Sequence, residues 1–195
     1  AINKLKHYGV KFDESLAKEG GHTERRIHHI GDYTGKAIVQ ALIKYLQQEK
    51  DIIVLENHAA VNLITANNKH MPGSQREVIG AYVLNNITGK IDTCISNVTV
   101  LATGGAGKIY RYTSNPETAT GDGIAMAYRA GARIGNMEFY QFHPTVLHHH
   151  KLNNFLITEA LRGEGAYLLH PETLERFMKK YDDKAELATR DVVSR

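Results

Sequence analysis

One cysteine, four prolines and no tryptophan stand among 195 residues. The lone thiol, Cys94, excludes an intramolecular disulfide and suits a reducing cytoplasm. It falls in an alternating, strand-like run, where a packed, inert thiol is the ordinary state. No apolar run approaches the roughly 18 residues that cross a bilayer, so no transmembrane helix is expected. No charged-then-apolar leader opens the chain either. Lysine and arginine number 24 against 21 acidic residues and are scattered along the chain. A net charge of +3 without a basic stripe argues against nucleic acid as a partner. Also missing is a G-x-G-x-x-G after a strand, the phosphate-binding turn of dinucleotide folds; Gly104, Gly105 and Gly107 have the wrong spacing. What remains is ordinary for a soluble globular protein, 42% hydrophobic and 23% charged, enough for one substantial core or two small lobes.

Periodicity divides the chain. Residues 1–30 are polar, with a His/Arg cluster at His22, Arg25, Arg26, His28 and His29, and read as a loop-rich approach to a helix. That helix carries Ala37, Ile38, Ala41, Leu42 and Tyr45 on one stripe, with Asp32 or Thr34 as its cap. Asp51–Leu55 is a short β-branched strand, and alternation predicts further strands near 60–65, 79–85, 90–95 and 97–102. Met71-Pro72-Gly73-Ser74 punctuates the first hairpin, and Asn85 to Gly89 turns the next. A helix follows Asp122-Gly123, running through Ile124, Ala127, Tyr128 and Ala130. Beyond about residue 135 the chain becomes polar and dense in motifs.

Chemistry concentrates in that last part, where Glu138 to Thr145 (EFYQFHPT) and Thr158 to Gly165 (TEALRGEG) place polar side chains that a core would not want. His143, Thr158, Glu159, Arg162 and Arg190-Asp191 form a donor-rich set suited to a small dicarboxylate, since arginine's planar fork matches a carboxylate bidentately. The competing reading is helix caps and surface ion pairs. His148-His149-His150 invites a metal, but adjacent histidines diverge and lack a spaced partner set, so a solvated loop and no metal are expected.

These runs, with Ala102 to Gly107 (ATGGAG), Thr120 to Gly123 (TGDG) and Leu187 to Arg195 (LATRDVVSR), recur in one order. Together they resemble the flavoprotein family of succinate dehydrogenase, fumarate reductase and L-aspartate oxidase, along essentially the whole chain. The resemblance implies a fold of α/β plus α+β class, with a partial FAD-binding domain over 1–135 and a partial capping domain over 136–195. It also implies that the chain is an internal part of a larger enzyme, inactive by itself.

What the resemblance implies for single residues is specific. Ala59, Ala60, Thr103, Gly104, Gly105 and Asp122 would lie near FAD; without it, they read as small packing residues and a helix cap. His143, Thr158 and Glu159 would meet one substrate carboxylate, although Glu159, itself anionic, is better placed beside an arginine. Arg190 would give or take the proton, with Glu159 and Arg162 as its relay, a demanding role for a guanidinium of pKa above about 12. Glu19, in Lys18-Glu19-Gly20-Gly21-His22, would attract a substrate ammonium, the mark of the L-aspartate oxidase branch; there Lys18 stands where that branch has Arg. The implied activity is oxidation of L-aspartate to iminoaspartate at the start of NAD synthesis, in the cytoplasm and away from membranes. Oxygen or fumarate would be the acceptor, and quinolinate synthase would take the product. The alternative is a succinate dehydrogenase or fumarate reductase flavoprotein subunit, which would lack the ammonium-reading glutamate.

Overall fold

Alternation between residues 58 and 95 builds an antiparallel meander, ordered β3-β4-β5, from β3 (His58–Asn67), β4 (Arg76–Asn85) and β5 (Ile91–Ile95). In the computed structural model, residues 1–67, 76–149 and 151–195 are described, so the predicted punctuation at Met71 to Ser74 lies outside the described residues. The turn from β4 to β5 is the predicted one. Asn85 Oδ1 accepts from the amides of Ile87 (2.9 Å) and Thr88 (3.1 Å), and Gly89 closes the turn at φ +70°. Cys94 sits on β5 opposite Ala81, half-buried and reduced.

The meander and its surroundings, Val54–Tyr140, form one unit of the chain; Ala1–Ile53 and Gln141–Arg195 form the other. Within the first, α3 (Asp122–Arg129) follows Gly121, which adopts φ +83°. Arg129 ties the far end of α3 to β3, donating to Asn62 Oδ1 at 3.1 Å and to the Val61 carbonyl at 3.3 Å.

The second unit opens with a helix where a loop-rich approach is expected, α1 (Ile2–His7). A two-residue ladder follows, β1 (Leu16–Ala17) against β2 (Ile27–His28). Helix α2 (Thr34–Leu46) half-buries Ala37, Ile38, Ala41, Leu42 and Tyr45, the predicted stripe, and Tyr45 packs on Tyr8 with ring centroids 4.7 Å apart. Its cap differs. Neither Asp32 nor Thr34 caps an amide of the helix; the Thr34 hydroxyl is inside the first turn and accepts from the Ile30 amide at 3.0 Å, tightening the approach instead. A hairpin, β6 (Val146–His149) with β7 (Leu152–Leu156), leads to α4 (Ala160–Gly163) and then α5 (Arg190–Val193). Between them Met178, Ala185 and Ala188 make a small core with Leu168, Phe177, Val192 and Val193.

Two predicted strands are absent. Asp51–Leu55 and 97–102 have no strand conformation, and Ile53, Val98 and Val100 are 84%, 77% and 81% exposed. β-Propensity expresses how well a branched side chain fits a pleated, half-buried surface. Among the described residues neither segment gains a ladder partner, so that propensity has nothing to act on. The architecture is mixed α/β with small antiparallel sheets.

Gly80 sets how closely β4 and β5 pair. It adopts φ +150°, and a β-carbon there would overlap the Cys94 carbonyl oxygen. Gly80→Ala should therefore lower the free energy of unfolding by about 2–4 kcal/mol, strain and steric overlap acting together. An unchanged midpoint in urea denaturation would show that the meander relaxes at no cost.

Candidate functional site

Helix α4 begins where two of the motif residues meet it. The Thr158 hydroxyl accepts from the Ala160 amide at 3.3 Å and closes the first turn. Glu159 occupies the cap position, and Arg162 follows three residues later on the same face. Both are buried, at 6% and 4% exposure, where an ionised pair needs its hydrogen bonds; the two Nη atoms of Arg162 find partners, while its buried Nε finds none among the described residues. Arg162 Nη2 donates to Glu159 Oε1 at 2.7 Å, and Arg162 Nη1 to the Glu186 carbonyl at 2.7 Å. The second carboxylate oxygen, Oε2, accepts from Arg190 Nη2 at 2.6 Å. One carboxylate thus joins two guanidinium groups. Arg190, at the start of α5, is only part-buried and also donates to Gln141 Oε1 at 3.3 Å. The catalytic set read from the sequence (Glu159, Arg162 and Arg190) is brought together.

His143 lies in the same unit, half-buried. Its neighbour Thr145 donates its hydroxyl to the Ile157 carbonyl at 2.9 Å, which pins the His-Pro-Thr turn to the end of β7. Burial lowers the His143 pKa; the contact with the Thr145 backbone and the Glu159 charge oppose this, while Arg190 and Arg162 reinforce it. The imidazole is therefore neutral at pH 7. Nδ1 is 2.9 Å from the Thr145 carbonyl and 3.3 Å from the Thr145 amide. The shorter contact is to a carbonyl, which only accepts, so Nδ1–H donates to Thr145 and the neutral ring offers Nε2 as an acceptor.

Glu19 stands in the loop between β1 and β2, half-buried, and no hydrogen bond to its carboxylate is found among the described residues. Its backbone is tied beside the arginine cluster by one hydrogen bond and lies close to it at two glycines. Gly21 donates to the Leu187 carbonyl at 2.8 Å. A β-carbon on Gly20 would come within 3.2 Å of Arg162 Nη1, and one on Gly163 would overlap the Lys18 carbonyl oxygen. Glycine at both positions is what lets the Glu19 loop lie against α4.

In the other unit, Ala59 and Ala60 lie exposed on β3, the strand on which α3 is anchored. Thr103 packs on the N-terminal turn of α3 so closely that a β-carbon on Gly123 would overlap its hydroxyl. Asp122 is exposed in that turn without capping it through its side chain. Gly104, at φ +73°, and Gly105 present open backbone, with nothing within 4 Å of where their β-carbons would be. The structure gathers Thr103, Gly104 and Gly105 near Asp122, with Ala59 and Ala60 on the adjoining strand.

A family model described as FAD binding domain matches residues 1–195, and the chain belongs to that family. Among its relatives, L-aspartate oxidase of Acinetobacter baylyi is 49% identical over 201 residues, covering 100% of this chain and 37% of that protein. L-Aspartate oxidase of Vibrio cholerae is 52% identical over 198 residues, covering 96% of this chain and 36% of the relative. The chloroplastic L-aspartate oxidase of Arabidopsis thaliana is 46% identical over 209 residues, covering 100% and 31%. The chain spans about a third of the length of the curated relatives it matches.

The cofactor of the family, FAD, is compatible with what these residues offer. Bare glycine backbone and small side chains beside a helix N-terminus suit a flat ring approached closely. No residue here supplies the phosphate-binding fingerprint.

Sequence reasoning missed three participants. Gln141 was read only as part of a motif. Glu186 is 3% exposed; its carboxylate accepts from Arg176 Nε at 2.9 Å and from the Leu168 amide at 3.3 Å, while its carbonyl holds Arg162. In sequence, Lys184-Ala185-Glu186 gives no signal beyond a charged surface turn. Arg25 pairs bidentately with Glu164, 139 residues away. Of the histidine run, His150 lies outside the described residues, and His149 Nδ1 accepts from the Lys151 amide at 3.2 Å. Among the described residues no cluster fit to hold a metal is found.

Burial keeps His143 uncharged, so its folded pKa lies below the unfolded value near 6.5. The unfolded chain then binds the proton first, and stability falls as pH drops through about 6.5 toward the folded value. A ring-proton NMR titration should place the His143 midpoint under 6.5 in the whole protein. A midpoint above that value would mean that Glu159 governs the ring rather than burial.

Proposed function

We propose that the protein carrying this chain oxidises L-aspartate to iminoaspartate, the first step toward NAD. The observation that carries this reading is one carboxylate, Glu159, shared by Arg162 and Arg190, with the Glu19 loop fastened against the same helix. Relatives named L-aspartate oxidase, from bacteria and plants, support it.

In this reading residues 1–135 belong to an FAD-binding domain and 136–195 to a capping domain. Ala59, Ala60, Thr103, Gly104, Gly105 and Asp122 line the flavin, and bound FAD supplies the two-electron acceptor. The chain's own residues do the rest. His143 and Thr158 meet one substrate carboxylate; Thr158 donates its hydroxyl, and His143 donates from Nε2 once protonated or once its Nδ1–H leaves the Thr145 carbonyl. Glu19 attracts the ammonium, the feature that separates aspartate from succinate. Arg190 exchanges a proton through the hydrogen bond from its Nη2 to Glu159 Oε2, and the buried Arg162 holds the carboxylate in position to receive it. Electrons leave to oxygen or fumarate, and quinolinate synthase takes the unstable imine. We place the protein in the cytoplasm of its source, where Cys94 stays reduced; some plant relatives are named as chloroplastic.

Arg190→Lys in the whole protein should remove most turnover while FAD stays bound. Lysine keeps the charge but cannot span Glu159 and Gln141 with one planar group. Wild-type kcat in that variant would eliminate Arg190 as the proton-transfer group, and loss of flavin would assign it to the fold.

Glu19→Gln should depress aspartate oxidation and leave fumarate reduction nearly unchanged, because fumarate has no ammonium. A charge-assisted hydrogen bond contributes roughly 1.5–3 kcal/mol, so kcat/KM for aspartate should fall by about one to two orders of magnitude. Equal losses with both substrates would refute ammonium recognition by Glu19.

A further inference from the structure

Arg25 lies in the segment joining β1 to β2, on the far side of the loop from Glu19. Its guanidinium meets the Glu164 carboxylate through two parallel bonds, Nη1 to Oε1 at 2.6 Å and Nη2 to Oε2 at 2.8 Å. Nη1 also reaches the Leu16 carbonyl at 3.5 Å, on the opposite arm of the same ladder. Glu164 is the C-terminal cap of α4, its amide bonded to the Ala160 carbonyl at 2.8 Å. The pair therefore links the base of the Glu19 loop to the end of the helix that carries Arg162.

We propose that Arg25 and Glu164 are positioning residues for substrate selection, a clamp that fixes where Glu19 stands relative to Arg162 and Glu159. The inference rests on the reading of Glu19 given above. The loop is long for its two-residue ladder, and its glycines, Gly20 and Gly21, add freedom. The Gly21 hydrogen bond to Leu187 holds one arm, which runs close enough to α4 at Lys18 to require Gly163, and the bidentate pair holds the other. Both partners are more than half exposed, so the fold itself depends little on the pair. Its geometric specificity is what matters, because a fork-to-fork pair fixes orientation as well as distance.

The test is a cycle of Arg25→Gln, Glu164→Gln and the double variant in the whole flavoprotein, assayed for aspartate oxidation and fumarate reduction. Each single variant should raise the KM for aspartate about fivefold, with kcat for fumarate and flavin content unchanged. The double variant should match the singles, since one broken clamp cannot be broken twice. Unchanged aspartate KM, additive effects, or equal loss on both substrates would overturn the clamp. Glu19→Gln, run beside them, separates the two ideas. If it alone shifts selectivity, the reading of Glu19 stands and the clamp falls; if it shifts nothing, both fall.

Discussion

The site depends on a single carboxylate placed between two guanidinium groups. Glu159 is buried, and a buried anion persists only when its lone pairs are occupied; Arg162 takes one oxygen and Arg190 the other. Removing one partner of such a pair costs about 3–5 kcal/mol, far more than a surface pair contributes. The arrangement follows from local geometry. Glu159 and Arg162 are three residues apart at the first turn of α4, so they meet without any long-range folding event. Arg190 comes from α5, and its docking is what turns a local pair into a three-member chain.

That chain has a support that leads away from it. The Glu186 carbonyl receives Arg162, and the Glu186 side chain is in turn held by Arg176, whose guanidinium stacks 4.0 Å over the Tyr167 ring. Ala185, just before it, adopts φ +49°, a conformation that an alanine holds only when its surroundings impose it. The small core of Met178, Ala185 and Ala188 supplies those surroundings. Hydrophobic packing thus fixes a carbonyl, the carbonyl fixes an arginine, and the arginine fixes the carboxylate on which Arg190 leans.

Legibility followed the range of the interaction. The stripe of α2, the Asn85 turn and the start of α3 rest on neighbours within a few residues, and periodicity showed them. The cap of α2 differs because the Thr34 hydroxyl lies inside the first turn and serves the preceding one, accepting from the Ile30 amide. Asp51–Leu55 and 97–102 carry β-branched residues, but a strand is completed by its neighbour, and no ladder forms among the described residues. The candidate residues stood out as motifs. Their geometry did not: nothing in the order of residues says that Gly163 makes room for Lys18, or that Arg25 reaches Glu164.

The charges explain why such a constellation would need a separate glutamate to recognise aspartate. One carboxylate between two guanidinium groups leaves one positive charge uncompensated, and His143, held neutral by burial, adds none. On the proposed reading, that surplus would attract any dicarboxylate and could not distinguish aspartate from succinate or fumarate. Placing a second acid directly on the arginines would cancel the surplus and weaken carboxylate binding for all of them. On that reading Glu19 would avoid this conflict by standing on its own loop, its carboxylate free of hydrogen bonds among the described residues while its backbone runs close to Arg162. On the proposed reading, anion attraction and ammonium recognition are carried by two elements of one unit. Selectivity then depends on how firmly the loop is held, not on the strength of the arginine cluster.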